Sequence, residues 1–275
     1  MDIFFLLQKA LQYDFIQKAL VCGVLIAVTS SLLGVFLVLR KLSLISDGLS
    51  HVSFAAVAIS LFFGLTPLFA SIPIVILASL AITKLSEKAN MYSDSAIGLV
   101  SALSIATGVI IISVNRGFNI DIYSYLFGSI LAISGFEVTL SVIISVIVIA
   151  IIFIFFNELF LITYDEDYAS ISKIKLKTVN LTMSIIQSVT IVIGVKIVGA
   201  MLMSSLIIFP AVSSLQLAKN FRHMIALSVS ISVISVVSGI FLSFLLNTPT
   251  GATIVVTNGF IFAVFFSINK IFKIK

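Results

Sequence analysis

Apolar windows of about 20 residues, the length that crosses a hydrocarbon layer about 30 Å thick as a helix, recur from one end of this chain to the other. Inside such a layer every backbone N–H and C=O must be bonded within its own segment, which favours helices. Composition agrees: 60% of the 275 residues are hydrophobic and 10% are charged, where a soluble domain carries about 25% charged residues. The longest polar stretches, near 84–95, 114–124 and 163–180, are too short to bury a core of their own. The chain therefore reads as one transmembrane domain over residues 1–275.

The windows fall near 17–39, 45–63, 67–84, 95–113, 136–157, 180–197, 200–218, 224–246 and 251–269. The expected fold class is an all-α polytopic membrane protein with about nine transmembrane helices. Eight are possible, because almost no polar loop separates 180–197 from 200–218 and the two could form one long bent helix. Charge placement favours nine. Arg40 with Lys41, Lys84 with Lys88, the group Lys173, Lys175 and Lys177, Lys219 with Arg222, and the tail Lys270, Lys273 and Lys275 fall at alternate connections. The opposite connections, near 64–67, 114–135, 198–199 and 247–250, hold only Arg116 among basic residues. The positive-inside rule puts the basic connections and the C-terminus in the cytoplasm and the N-terminus outside.

The net charge of +5 is dispersed between apolar runs, a topology signal rather than a nucleic-acid patch. Cys22 is the single cysteine, which excludes an intrachain disulfide and a C-x-x-C site. Residues 1–20 are amphipathic, with Asp2, Lys9, Asp14 and Lys18 among Phe4, Phe5, Leu7, Ala10, Leu11 and Phe15, and do not resemble a cleaved signal peptide. Two connections exceed what a hairpin needs. Asp121 to Gly128 is aromatic and amphipathic and predicts a short helix at the outer interface. In the other, Asp165, Glu166 and Asp167 precede a short helical pattern that Lys173, Lys175 and Lys177 follow. Acids at the start and bases at the end match a helix macrodipole and predict a short cytoplasmic helix; the plain alternative is a solvated loop.

Ionisable side chains at membrane depth cost about 3 kcal/mol each on insertion scales, so each is a functional candidate. Asp47 and His51 are the clearest pair. Four residues apart, they share a helix face, and one ion or one hydrogen bond could join them. A helix running on from Arg40 would carry them toward the membrane centre; a turn over 40–46 would leave them nearer the inner surface. Carboxylate and imidazole are ordinary ligands for zinc, manganese and iron, and two ligands make half a site. An Asp capping its helix and a His bonded to a neighbouring carbonyl or to Ser50 is the structural alternative. Lys196 reads as a cation snorkelling to the outer surface, Glu137 as interfacial, His223 as an exposed loop residue, and Met201 and Met203 as apolar filler. Gly194, Gly199, Ala200, Ser204 and Ser205 permit close helix approach, while Pro210 and Pro249 predict a kink and a helix start.

No G-x-x-x-x-G-K-[ST] loop is present, so ATP hydrolysis is not expected of this chain. No G-x-S-x-G motif accompanies a histidine, although Ser50 beside His51 keeps an intramembrane serine hydrolase in view. Arginines spaced as in a voltage sensor are missing.

Three segments in order, Gly34-Val-Phe-Leu-Val-Leu-Arg-Lys-Leu-Ser-Leu-Ile-Ser-Asp47-Gly-Leu-Ser-His51, Val198-Gly-Ala-Met-Leu-Met-Ser-Ser-Leu-Ile-Ile-Phe-Pro210-Ala, and Pro249-Thr-Gly-Ala-Thr-Ile-Val255, make the chain resemble the membrane permease subunit of bacterial zinc, manganese and iron ABC transporters. That family usually has Gly-Asp-Ala-Leu-Ser-His in the first segment; here Ser46 and Gly48 flank the retained Asp47. The resemblance implies an ABC importer transmembrane domain in the bacterial plasma membrane, paired with a second copy of itself. It also implies a cytoplasmic dimer of ATP-binding subunits and an extracellular solute-binding protein. No cofactor is expected to be resident; the divalent metal ion is cargo, with Asp47 and His51 as its ligands. The resemblance places the coupling helix, which meets the ATPase, over about Asp165 to Ser172, with Asp165, Glu166, Asp167 and Ala169 as its residues. The competing reading is a stand-alone secondary transporter or channel that uses Asp47 and His51 as a proton or ion relay.

Overall fold

A computed structural model of the chain describes residues 11–88, 92–114, 128, 133–172 and 174–272. The helices are α1 (Asp14–Leu39), α2 (Ile45–Phe62), α3 (Pro67–Lys88), α4 (Ser93–Val114), α5 (Gly135–Ile154), α6 (Phe156–Tyr164), α7 (Glu166–Ile171), α8 (Leu176–Val198), α9 (Ala200–Leu217), α10 (Phe221–Leu246) and α11 (Thr250–Phe272). Among the described residues, nine helices are long and apolar enough to cross a membrane, and no strand occurs. They match the nine apolar windows to within a few residues at each end. Helices α1, α2 and α8 are largely buried, whereas α3, α4, α5 and α11 expose most of their surface. That exposed surface is apolar, with Leu103, Ile110, Ile147, Val256 and Phe260 all well exposed, as suits contact with lipid chains.

Lipid is as apolar as leucine, so helices associate through close packing and interhelical hydrogen bonds. Both devices recur here. A Cβ at Gly34 would overlap the backbone carbonyl oxygen of Ile207, so α1 and α9 touch backbone to backbone. The Ser232 hydroxyl of α10 donates to the Ala27 carbonyl of α1 at 3.0 Å, and the Gln187 amide of α8 donates to Ser79 of α3 at 2.8 Å. Asn258 and Asn269 of α11 donate to Ser205 and Gln216 of α9 at 3.2 and 3.0 Å.

The choice between eight and nine spans turns on Gly199. Its backbone, at φ 92° and ψ 157°, lies where essentially only glycine is stable. The Gly199 N–H still donates to Val195, and its carbonyl accepts from Met203, so one residue ends α8 and begins α9. The single long bent helix is thereby excluded. Helix α9 runs unbroken through Pro210, and Pro249 immediately precedes α11.

Between α1 and α2 the chain turns over residues 40–44, so the alternative with a helix running on from Arg40 is also excluded. The Lys41 N–H donates to Val38 and the Leu42 N–H to Leu37, the paired bonds of a Schellman cap. The same pattern closes α2, with Gly64 at φ 66° donating to Leu61 and Leu65 donating to Ser60. At the end of α1 a lysine, Lys41 at φ 57°, holds the left-handed position that glycine occupies more cheaply.

The ends of α1, α3, α4, α6, α7 and α8 converge on one face around a cavity of about 410 Å³, lined in part by Arg40, Lys41, Thr83, Ser93, Tyr164, Glu166 and Asn180. This is the basic face foreseen from charge placement. Helix α6 was not foreseen, because the apolar window ends at 157 and the residues after it read as the start of a long connection. The ring of Phe221, at the start of α10, lies 4.8 Å from Phe160, 5.9 Å from Phe156 and 5.6 Å from Phe36, and this cluster seats α6. Lys196 does not snorkel alone: its ammonium lies 3.1 Å from Glu137 of α5, whose own carboxylate completes a capping box with Ser134. The interface helix expected over Asp121 to Gly128 lies, apart from Gly128, outside the described residues. Gly128 itself, at φ 75°, leaves no room for a side chain against the Val198–Gly199 backbone.

The Gly34 contact makes a sharp prediction. Gly34→Ala should destabilise the purified protein by at least about 1–3 kcal/mol, the usual cost of overpacking, because a backbone carbonyl cannot step aside. Gly98→Ala, where an added methyl meets nothing within 4 Å, should leave the melting temperature in detergent unchanged or raised.

Candidate functional site

Helix α2 begins at Ile45, which puts Asp47 in its first turn and His51 one turn later. A carboxylate there is favoured by the positive end of the helix dipole, worth about 0.3–1 kcal/mol. The rest of this half of α2 is sealed: of residues 45–56, only Asp47 and His51 are not buried. Both side chains leave the bundle on one face, 57% and 30% exposed respectively. An apolar helix that buries its small and apolar residues and turns its only two ionisable groups outward is built to present them.

The Asp47 Oδ2 and His51 Nε2 atoms are 3.6 Å apart. That separation is too long for a hydrogen bond. It is close to what one metal ion requires: two donors, each about 2.1 Å from a tetrahedral ion, stand about 3.4 Å from each other. Among the described residues no cluster of three or more His, Cys, Asp or Glu side chains could hold a metal. One copy of the chain thus offers two strong ligands with open positions.

A third polar group joins them. The Ser204 hydroxyl, in the second turn of α9, donates to Asp47 Oδ1 at 3.4 Å. Ser204 reads in the sequence only as a small packing residue, and its link to Asp47 spans 157 positions. No local signal could have paired them. Ser204 and Met201 lie on the same partly open side of α9, Met201 being 49% exposed. Met203 is fully buried, its sulfur accepting from the Ser30 hydroxyl at 3.8 Å, and is packing. The Ser50 hydroxyl donates to the Ser46 carbonyl at 2.8 Å and is buried within the bundle, which removes the geometry a serine nucleophile beside His51 would need. His223 takes part in a helix start: its Nδ1 accepts from the Lys219 N–H at 3.2 Å, while its own N–H donates to Asn220 at 2.8 Å.

The second group of candidates lies on the basic face. Residues 166–171 form helix α7, not a solvated loop. Asp165 is its N-cap, accepting from the Tyr168 N–H at 2.9 Å. Glu166 stands 4.0 Å from the Arg40 guanidinium and accepts from the Asn180 amide at 3.4 Å. Asp167 is exposed, and its carbonyl accepts from the Ser170 hydroxyl at 2.7 Å. Ala169 is fully buried in the main core and seats the helix. The surface that α7 and its lead-in turn outward is made by Tyr164, Tyr168 and Ile171, from 58% to 84% exposed. The sequence holds the signal for this: apolar residues on both sides of an alanine in a six-residue helix leave at least one face uncovered.

The model of the ABC 3 transport family matches residues 12–269. The manganese import system permease protein ScaB of Streptococcus gordonii is 32% identical to the chain, over 93% of this chain and 92% of the relative. The high-affinity zinc uptake system membrane protein ZnuB of Haemophilus influenzae is 27% identical, over 91% and 96%. Among solved structures, PsaBC from Streptococcus pneumoniae in complex with Fab superposes with a TM-score of 0.85 at 27% identity, covering 96% of this chain and 95% of that one. An inward-facing putative metal-chelate type ABC transporter, at 15% identity and a TM-score of 0.69, shares the fold.

The geometry predicts a graded response to substitution. With Co²⁺ as a visible-absorption probe, Asp47→Asn and His51→Gln should each abolish binding. Ser204→Ala should weaken it about tenfold, at the low end for loss of a group that orients a ligand. Equal loss in all three would make Ser204 a ligand in its own right.

Proposed function

The chain belongs to the ABC 3 transport family, and we propose on that premise that it is the permease subunit of an ATP-driven importer of a divalent transition-metal ion, zinc, manganese or iron. The observation that carries the proposal is the Asp47–His51 pair, 3.6 Å apart on the one open face of a buried helix. The relatives' names, which speak of manganese import and zinc uptake, support the same class of cargo. Carboxylate with imidazole suits all three metals.

An exposed carboxylate facing lipid would be expensive, so the open face of α2 calls for a polar cover. A second copy across a two-fold axis supplies one, because an isologous contact brings the same patch from each subunit. Two aspartates and two histidines then surround one ion. The side chains of Ser204 steady both carboxylates. Such a site holds the ion without enclosing it, which a transport site requires.

Energy comes from a separate pair of ATP-binding subunits on the basic, cytoplasmic face. Their closure moves α7, the coupling helix, through its outward Tyr168 and Ile171 and the acids Asp165, Glu166 and Asp167; Ala169 anchors the helix to the permease core. The ion arrives from an extracellular solute-binding protein on the opposite face, in the plasma membrane, with the N-terminus outside and the C-terminus inside. Alternating access follows from a rigid-body shift between two arrangements of the pair of permeases.

In proteoliposomes that contain the chain with its ATPase, Asp47→Ala and His51→Ala should each abolish ATP-dependent uptake of Zn²⁺ or Mn²⁺ while the complex still assembles. Normal uptake in both variants would refute the assignment. Uptake by the purified chain without any ATPase would point instead to a secondary transporter or channel. Charge reversal at Asp165, Glu166 and Asp167 together should reduce co-purification of the ATPase and leave Co²⁺ binding by the permease unchanged.

A further inference from the structure

We propose that the Arg40–Glu166 contact is the internal link through which α7 moves the metal-binding helix α2, a role that rests on reading α7 as the coupling helix. Glu166 is the first residue of α7, and Arg40 is the last residue before the turn that leads into α2. Their side chains meet at 4.0 Å. Beyond Arg40 the chain has little slack. The Lys41 N–H is bonded to Val38, the Ile45 N–H to Leu42 and the Gly48 N–H to Leu44. A pull on the Arg40 guanidinium is therefore delivered through a turn that is itself hydrogen-bonded to the first turn of α2, where Asp47 lies.

Three features suit this contact to movement rather than to holding the fold. Glu166 is about half exposed, at 53%, and an ion pair so open to solvent contributes little stability, so it can break and re-form at low cost. The cavity of about 410 Å³ is bounded by Arg40, Lys41 and Ile45 on one side and by Tyr164, Glu166 and Asn180 on another. Close-packed interiors transmit strain but resist displacement; here α7 and the turn have room to shift against each other. Asn180 lines the same cavity. Its amide nitrogen already donates to Glu166, and its buried amide oxygen has no hydrogen-bond partner among the described residues. That oxygen is a second acceptor on the wall along which Arg40 would travel.

Arg40 and Glu166 are thus positioning residues: neither touches the ion, and both act through α2. The test uses the full complex of permease and ATPase in proteoliposomes and reads Zn²⁺ or Mn²⁺ ions imported per ATP hydrolysed. Arg40→Gln should leave assembly and ATP hydrolysis in place while lowering that ratio at least about fivefold, the lower end of ordinary coupling between sites, and Glu166→Gln should lower the ratio equally in the complexes that form. The exchange Arg40→Glu with Glu166→Arg should restore it. Glu166→Gln keeps the decision open to measurement if an Arg40 variant fails to fold, because Glu166 is largely in solvent. An unchanged ratio in either single variant, or no recovery in the exchange, would overturn the link. Failure of the proposed function would show differently, as an unsubstituted complex without ATP-dependent uptake.

Discussion

The structure depends on how closely two helices approach where no water drives them together. In lipid, burial of apolar surface against another helix gains little over burial against acyl chains, so contact must come from shape and from polar groups with nowhere else to bond. Gly34 lets α1 lie directly on the Ile207 carbonyl of α9, and the Ser30 hydroxyl meets the Met203 sulfur one turn away. These contacts fix α9 along its length. Its first turns then fall against the first turn of α2, and the Ser204 hydroxyl reaches Asp47. Asp47, four residues before His51, gains a third polar neighbour in Ser204 because a glycine on another helix allows a backbone to come near.

Polar groups are sorted by what can satisfy them. Hydroxyls and amides buried between helices pair across them, as Gln187 does with Ser79. Charged groups are moved to the two ends, where Lys196 meets Glu137 on one face and Arg40 meets Glu166 on the other. Asp47 and His51 are the exceptions, ionisable groups on the open face of a buried helix, without a third protein ligand among the described residues. The proposed function rests on that exception, a metal ion and a second copy completing what no neighbour in the chain does. The proposed coupling rests on the ends, since the turn that caps α1 also leads into α2 and carries the arginine that reaches α7.

Much of this was legible in the chain itself. The nine apolar windows match nine helices, among the described residues, that are long and apolar enough to cross a membrane, because a helix in lipid closes its own hydrogen bonds, a local property. Arg40 and Lys41 line the cavity face, at one of the alternate connections where basic residues cluster in the sequence. The Asp47–His51 face was readable from the 3.6-residue period alone, and so was the acidic start of α7. Other features were not. Lys196 gave no sign of Glu137, which lies 59 positions earlier, and Ser204 gave none of Asp47. Helix α6 was hidden because Phe160 falls in a stretch that reads as connection until Phe221 of another helix packs against it and Phe156.

The sequence by itself determined the all-helical class with candidate membrane spans, the alternation of charge and the shared face of Asp47 and His51, since each rests on hydropathy or on spacing within one helix. Only the tertiary structure decided that α2 starts after a turn at Lys41, that Gly199 divides one apolar stretch into two helices, and that Ser204 meets Asp47 and Glu166 meets Arg40. Those outcomes depend on which distant backbones can touch, and contact across many tens of residues is set by packing, not by any local periodicity.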